Sequence, residues 1–265
     1  MRKIALFVAL CISAQMSALS AGGGASSGGE YVGGDVFFHT LRHSPEILKG
    51  AEALNVWNKT VPAVGLEIKC GKDQYASYKF SNSVAVVQHA DSRAKIDEFR
   101  QQKTNALNVP GNREPSVSHL SMEIENGRFE FASKELRASS TFKIKTHAGV
   151  FDVRSKMFII DDVGDSVLIY VLDGMARFHS ADGKSDFLRA GQKAVAKKAA
   201  SGKTFPLTIE QMGITEESEA ISRLSACRQI VESVVFERGA DGNIGARRAI
   251  YKEYFANPPS YIHRK

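Results

Sequence analysis

The sequence predicts a mainly β protein: an antiparallel sandwich or solenoid-like stack of short strands, closed by a C-terminal helix and hairpin. Three observations predict it. Short segments alternate apolar and polar residues, as in Tyr75 to Phe80 and Thr141 to Thr146. Gly, Asp and Asn punctuate them at intervals of about 8–12 residues. The apolar period becomes helical only beyond Gly202. No helical segment lies between the strands to carry crossovers, which excludes a parallel α/β sheet.

The elements follow in chain order. Ala21 to Gly29 reads AGGGASSGG, a spacer with nothing to bury, and ordered structure is expected from about Val32. Ser44-Pro45 reads as an N-cap followed by a first-turn proline, so a short helix is expected over Pro45 to Leu54. Strands are expected over Gly65 to Cys70, Tyr75 to Phe80, Val84 to Gln88 and Ala94 to Phe99. Leu120 to Ile124 and Arg128 to Ala132 flank Asn126-Gly127, the pattern of a hairpin. Thr141 to Thr146, Val150 to Arg154, Met157 to Ile160 and Ser166 to Leu172 follow, the last as a central strand. Asp173-Gly174 reads as a second hairpin turn into Met175 to Ser180, before Ser185 to Leu188 and Lys193 to Ala196. From Ile214 to Ser233, Ala220, Ile221, Leu224, Cys227 and Val231 recur at helical spacing, with Thr215 as expected N-cap. Val234 to Glu237 and Ile244 to Ile250 then read as a closing hairpin.

The 265 residues are 43% hydrophobic and 24% charged, which excludes wholesale disorder, a collagen-like repeat or a coiled coil. Arg2 and Lys3 precede an almost uncharged apolar run, Ile4 to Leu19, and then small residues. That is the layout of a cleaved secretory signal, and the run is too short for the ~20 residues that span a bilayer. Cys11 is preceded by Leu10, which argues against a lipoprotein signal. The expected organisation is a signal over 1–20, a spacer over 21–31, an N-terminal segment over 32–63, a β domain over 64–202, and a helix, hairpin and basic tail over 203–265. A periplasmic or secreted location follows. Losing Arg2 and Lys3 lowers the net charge from +6 to +4, too little to argue for nucleic acid.

Export leaves Cys70 and Cys227, a disulfide candidate. The bridge would be worth ~4–5 kcal/mol in the chain-entropy model. Two buried reduced thiols are the equal alternative.

A set of short motifs carries a family resemblance. They are Phe80-Ser81-Asn82-Ser83, Asp91 to Phe99, Gly127-Arg128-Phe129-Glu130-Phe131, Ser140 to Val150, Val171 to Ala176 and Ala190-Gly191-Gln192-Lys193. In order and spacing the stretch from about residue 64 to 200 resembles the FecR domain of exported bacterial proteins. That family pairs f-x-v-x-T-x-x-G, here Phe142 to Gly149, with V-L-x-G-x-V and an a-G-Q strand start. Three positions depart from the pattern: Arg154-Ser155-Lys156 stands for Arg-Gly-Thr, Asp173 for Glu and Ser83 for Gly. The resemblance implies an all-β periplasmic domain. Its best-known relatives relay the state of an outer-membrane transporter to a sigma factor. Here three residues precede the apolar run, too few for a sigma-contacting domain, so the exported β domain alone is expected.

No catalytic constellation is recognisable, and the expectation is a non-enzymatic module with no cofactor or metal. His39 and His43 lack a third ligand, and Asp161, Asp162 and Asp165 read as a polar turn rather than a calcium site. Asp91 with Asp97 and Glu98 is a poor glycosidase dyad, because strand alternation places Asp97 on a solvent face. The binding candidates are Lys193, Lys197 and Lys198, continued by Lys203, Arg247, Arg248, Arg264 and Lys265. An anionic partner would meet them if they converge. Trp57, Tyr75 and Tyr78 could form a sugar-stacking platform. An envelope protein or anionic polysaccharide is the expected partner. The alternatives are a carbohydrate-active envelope enzyme and a structural envelope protein assembling through strand edges.

Overall fold

The computed structural model describes residues 29–105, 107, 111–199, 202, 205–239 and 244–249. The expected signal peptide, most of the spacer, Lys203 and the basic tail lie outside the described residues.

The strands are β1 (Tyr31–Gly33), β2 (Asp35–Arg42), β3 (Glu46–Lys49), β4 (Glu52–Ala53), β5 (Thr60–Pro62), β6 (Leu66–Cys70) and β7 (Tyr75–Phe80). They continue as β8 (Ala85–Gln88), β9 (Ser92–Gln102), β10 (Ser118–Ala132), β11 (Thr141–Thr146), β12 (Gly149–Val153), β13 (Met157–Val163) and β14 (Ser166–Asp173). Then come β15 (Met175–Ser180), β16 (Ser185–Arg189), β17 (Gln192–Lys197) and β18 (Leu207–Gln211). Helices α1 (Ile214–Arg223) and α2 (Ser225–Ser233) precede β19 (Val234–Arg238) and β20 (Ile244–Arg248). Strands make up 58% and helices 9%, so the expected mainly β class holds.

Two sheets share β10. The first runs β4-β3-β6-β9-β10-β11-β12-β15-β16, with β1 beside the far end of β9. The second runs β5-β2-β7-β8-β10-β13-β14-β17-β18. Among these pairings only β10–β11 is parallel. Period-2 alternation sends one row of side chains between the sheets, where Phe80, Phe99, Phe129, Phe131, Phe142 and Phe158 form the main core. Phe131 stacks on Phe158, ring centroids 4.5 Å apart.

The opposite row of the second sheet forms another core. Phe37, Val87 and Ile159 pack there against Leu224, Cys227, Ile230 and Val231 of the helical segment. A buried lysine fixes that docking. Lys79, on the outer row of β7, donates to the carbonyls of Val231 and Val234, 2.6 Å each. These are carbonyls at the C-terminal end of α2, where a cation suits the helix dipole. Burial pushes the Lys79 ammonium down to about 7, and nearby Lys134 adds to that shift.

Several expectations need correction. Pro45 to Leu54 is a hairpin of β3 and β4, not a helix. Ser44 has φ +55, not the extended backbone of an N-cap, and its carbonyl accepts from Gln74 Nε2 instead of starting a helix. Asn126-Gly127 does not close a hairpin. The chain runs straight on as β10, whose first part pairs with β9 and whose last part pairs with β8 and β13. Two sheets compete for the segment, and splitting the strand between them satisfies both ladders. Asp173-Gly174 is likewise a corner: β14 stays in the second sheet while β15 enters the first. Strand β18 was not expected at all, although Leu207-Thr208-Ile209 alternates. The long helix is realised as α1 and α2 meeting at Leu224, and Gly213, not Thr215, takes the extended N-cap position. The closing hairpin is present as β19 and β20.

Candidate functional site

The structure brings two separate sequence candidates together. Trp57 follows the buried Val56 and forms a bridge to Phe38, which directs its ring outward, 51% exposed. Asn58, at φ +55, turns the chain behind it. Strand β20 arrives against β5 from the C-terminal end and brings Arg247 and Arg248. Trp57, Asn58, Ala246, Arg247 and Arg248 line one open groove of about 410 Å³. Arg248 Nη2 donates to the His39 carbonyl at 3.0 Å. Arg247 reaches Glu237 Oε1 through Nε at 3.1 Å and Nη2 at 2.8 Å. Burial, reinforced by the Arg248 charge, holds the His39 imidazole below its ordinary value. The groove thus presents an indole face and two guanidinium groups, one of them matched by a carboxylate. A planar guanidinium holds a carboxylate through paired N–H donors, while an indole stacks on apolar ring faces.

The other candidates fall elsewhere. Tyr75 and Tyr78 do not join Trp57: they are three positions apart on one strand and point to opposite faces. Tyr78 is fully buried in the main core, and Tyr75 packs on the helix-covered side. The lysine run is largely paired. Lys193 Nζ lies 2.9 Å from Glu216 Oε1 and 3.6 Å from Glu210 Oε2, and Lys198 lies 3.6 Å from Asp165. Lys197 ends β17, exposed and away from the groove. Cys70 and Cys227 are free thiols, which corrects the disulfide candidate. Cys70 faces the main core and Cys227 the helix-side core, so the second sheet lies between them. Burial pushes the Cys70 thiol up to about 11 and drives Cys227 well above its ordinary value.

His39 and His43 take local partners, Thr40 Oγ1 and the Asp73 carbonyl. The three aspartates diverge: Asp161 pairs with Arg128, Asp162 with His147 and Asp165 with Lys198. Asp97 pairs with Lys145 and Glu98 with Arg100, both away from Asp91. No group of three or more His, Cys, Asp or Glu among the described residues could hold a metal ion. No helix among them is long and apolar enough to cross a membrane.

No family model matches the chain, and no curated protein does. Two crystal structures of a "putative anti-sigma factor" from Parabacteroides distasonis are similar to it. Each is 10% identical over 65% of this chain. The matches cover 67% and 68% of those chains, with TM-scores of 0.42 and 0.44.

Proposed function

We propose that this chain is an exported, non-catalytic FecR-like module that binds an acidic polysaccharide of the bacterial cell envelope. The observation that carries the reading is the convergence of an exposed Trp57 with Arg247 and Arg248 in one groove. A uronic acid offers both faces the groove needs: an apolar ring surface for the indole and a carboxylate for a guanidinium. Assembly through strand edges has less support. The outer strands β4, β5, β16 and β18 are two, three, five and five residues long, short templates for another chain.

Trp57 is the single tryptophan of the chain, so its fluorescence reports this groove alone. Titration with polygalacturonate at low salt should shift the emission, and neutral dextran should not. Added salt and Arg248→Gln should each weaken the response. An equal response to dextran, or none to either polymer, refutes the reading. A protein partner would instead emerge from an envelope pull-down that Trp57→Ala abolishes. Export carries its own readout: the mature protein should begin at Ala21, and an intact Met1 on the native protein refutes it.

A further inference from the structure

The outer rows of the first sheet differ in charge between its two ends. Toward β6 and β9 the cations are matched: Lys69 and Arg93 share Glu67, and Arg100 pairs with Glu98. Toward β16 the strand register brings a different set together. Lys143 stands opposite Asp152, Asp152 opposite Arg177 and Arg177 opposite Phe187, so four strands place these side chains in one row. In the next row Met175 stands opposite Arg189, and the Arg154 N–H donates to the Met175 carbonyl at 2.8 Å. Their chain neighbours Phe142, Ile144, Phe151, Val153, Phe178 and Leu188 face the main core, so alternation sends both rows outward.

The partners already present decide what these rows lack. Among the described residues Lys143, Arg177 and Arg189 form no ion pair. Arg154 donates from Nη1 and Nη2 to the carbonyls of Arg137 and Ala138, at 2.9 and 3.0 Å, and meets no carboxylate. Asp152, the acid of the first row, is taken by His179 Nε2 at 2.9 Å. Asp186 of β16 stands opposite the buried Phe178 and so belongs to the other face. Four cations thus surround one engaged carboxylate. Among them stand two large apolar side chains on adjacent strands, Met175 at 48% and Phe187 at 57% exposed. The Arg177 guanidinium lies over the Phe187 ring, 5.0 Å from its centroid. Exposed apolar side chains rimmed by charge are the pattern of a contact surface.

We propose that this end of the first sheet docks on the surface of an anionic lipid bilayer, with Met175 and Phe187 entering the headgroup layer and Lys143, Arg154, Arg177 and Arg189 meeting lipid phosphates. Charge complementarity argues for the anionic surface, and the two apolar tips argue for a layered one. Arg and Lys keep their heads in the polar layer while their stems lie along apolar surface, which suits the same boundary. The backbone groups of β12 and β15 are spent in ladders on both sides, so this face offers cations and apolar tips. A neutral sugar would need acceptors for its hydroxyls, and the carboxylate of these rows is already engaged. A bilayer surface asks only for charge and apolar contact.

The test is cosedimentation of the full mature chain with vesicles. Vesicles of phosphatidylcholine and phosphatidylglycerol in equal parts should carry the protein down, and phosphatidylcholine alone should not. Arg177→Gln and Arg189→Gln should each weaken binding about fivefold, the worth of one cation near an anionic surface. Lys72→Gln, at an exposed lysine of the β6–β7 turn, should leave it unchanged. A second measurement reads insertion. In a Trp57→Phe background, Phe187→Trp supplies the single indole, and its emission should shift to the blue with the mixed vesicles. Equal binding to phosphatidylcholine, no binding to either vesicle, or full binding by both arginine variants would each overturn the proposal. An equal emission shift with soluble polyglutamate would assign the surface to an acidic protein and overturn it as well. The Trp57→Phe background removes the indole of the polysaccharide groove, so the two readings fail separately.

Discussion

Gly127 is where β10 passes from one sheet to the other, and its replacement tests that geometry directly. Its φ is +99, and a Cβ built there would lie 2.2 Å from Ser92 Cβ and 2.6 Å from Ser92 Cα. Gly164 has φ +59 and nothing within 4 Å of its Cβ position. The two alanine variants therefore share one cost and differ in another. The positive φ costs each of them roughly 1–2 kcal/mol. Restricting the unfolded chain returns roughly 0.4–1 kcal/mol to each. Gly164→Ala should then destabilise by about 1 kcal/mol. Gly127→Ala adds overpacking against backbone, roughly 1–3 kcal/mol, and should reach about 2–4 kcal/mol. Urea unfolding at constant m-value measures both through the shift in midpoint. In a hairpin turn at Asn126-Gly127 the Cβ would point to solvent, and the two variants would be equal. Equal midpoints would refute the crossing of β10 beside Ser92.

Further outcomes follow from the same packing. Phe131→Ala removes a ring stacked on Phe158 in the main core and should cost ~3–5 kcal/mol, whereas Phe187→Ala, at a ring 57% exposed, should cost under ~1 kcal/mol. Thiol titration of the mature protein should find two free thiols in denaturant without reductant and almost no reaction in the native state; zero thiols in denaturant would restore the disulfide. Lys79 gives a pH signature. Its folded value of about 7 lies below the ordinary 10.5, so between those limits the unfolded chain binds more protons and stability rises with pH. Below about pH 7 both states are protonated and that contribution is gone. Lys79→Met should flatten the stability profile between pH 7 and 10, read by urea midpoints at each pH; an unchanged slope would assign it to other groups.

Alternation made most strands legible, because a half-buried strand must place apolar side chains every second position. Thr141 to Thr146 and Tyr75 to Phe80 came out with the observed bounds. The same rule, applied to Tyr75 and Tyr78, separates them onto opposite faces and removes the aromatic platform. Local turn chemistry was less decisive. Asn126-Gly127 and Asp173-Gly174 have the residues of hairpin turns, yet both mark places where the chain changes partner or sheet. A dipeptide reports a permitted backbone; which strands pair on either side depends on segments far along the chain. Ser44-Pro45 failed for a related reason: the Gln74 side chain, thirty positions away, takes the Ser44 carbonyl. Trp57 and the arginine pair were each visible in the sequence, but their meeting was not.

The groove at Trp57 depends on how the C-terminal segment is held. Arg248 reaches the His39 carbonyl across 209 positions of chain, and one hydrogen bond of that span is a weak tether. The firmer anchor lies just before the hairpin. Lys79 binds the carbonyls of Val231 and Val234, and Val234 is also the first residue of β19. One buried ammonium therefore ends the helix and sets the point from which the hairpin departs. Val234 and Phe236 are themselves buried in the helix-side core, which fixes the direction of β19. Ladder pairing with β19 then places β20 and its two arginines. The aromatic half of the groove belongs to the sandwich, and the basic half is delivered by a segment docked on its outer face. A lysine buried in an apolar core is costly, but here it converts loose carbonyls at a helix end into the fixed origin of the hairpin that lines the groove.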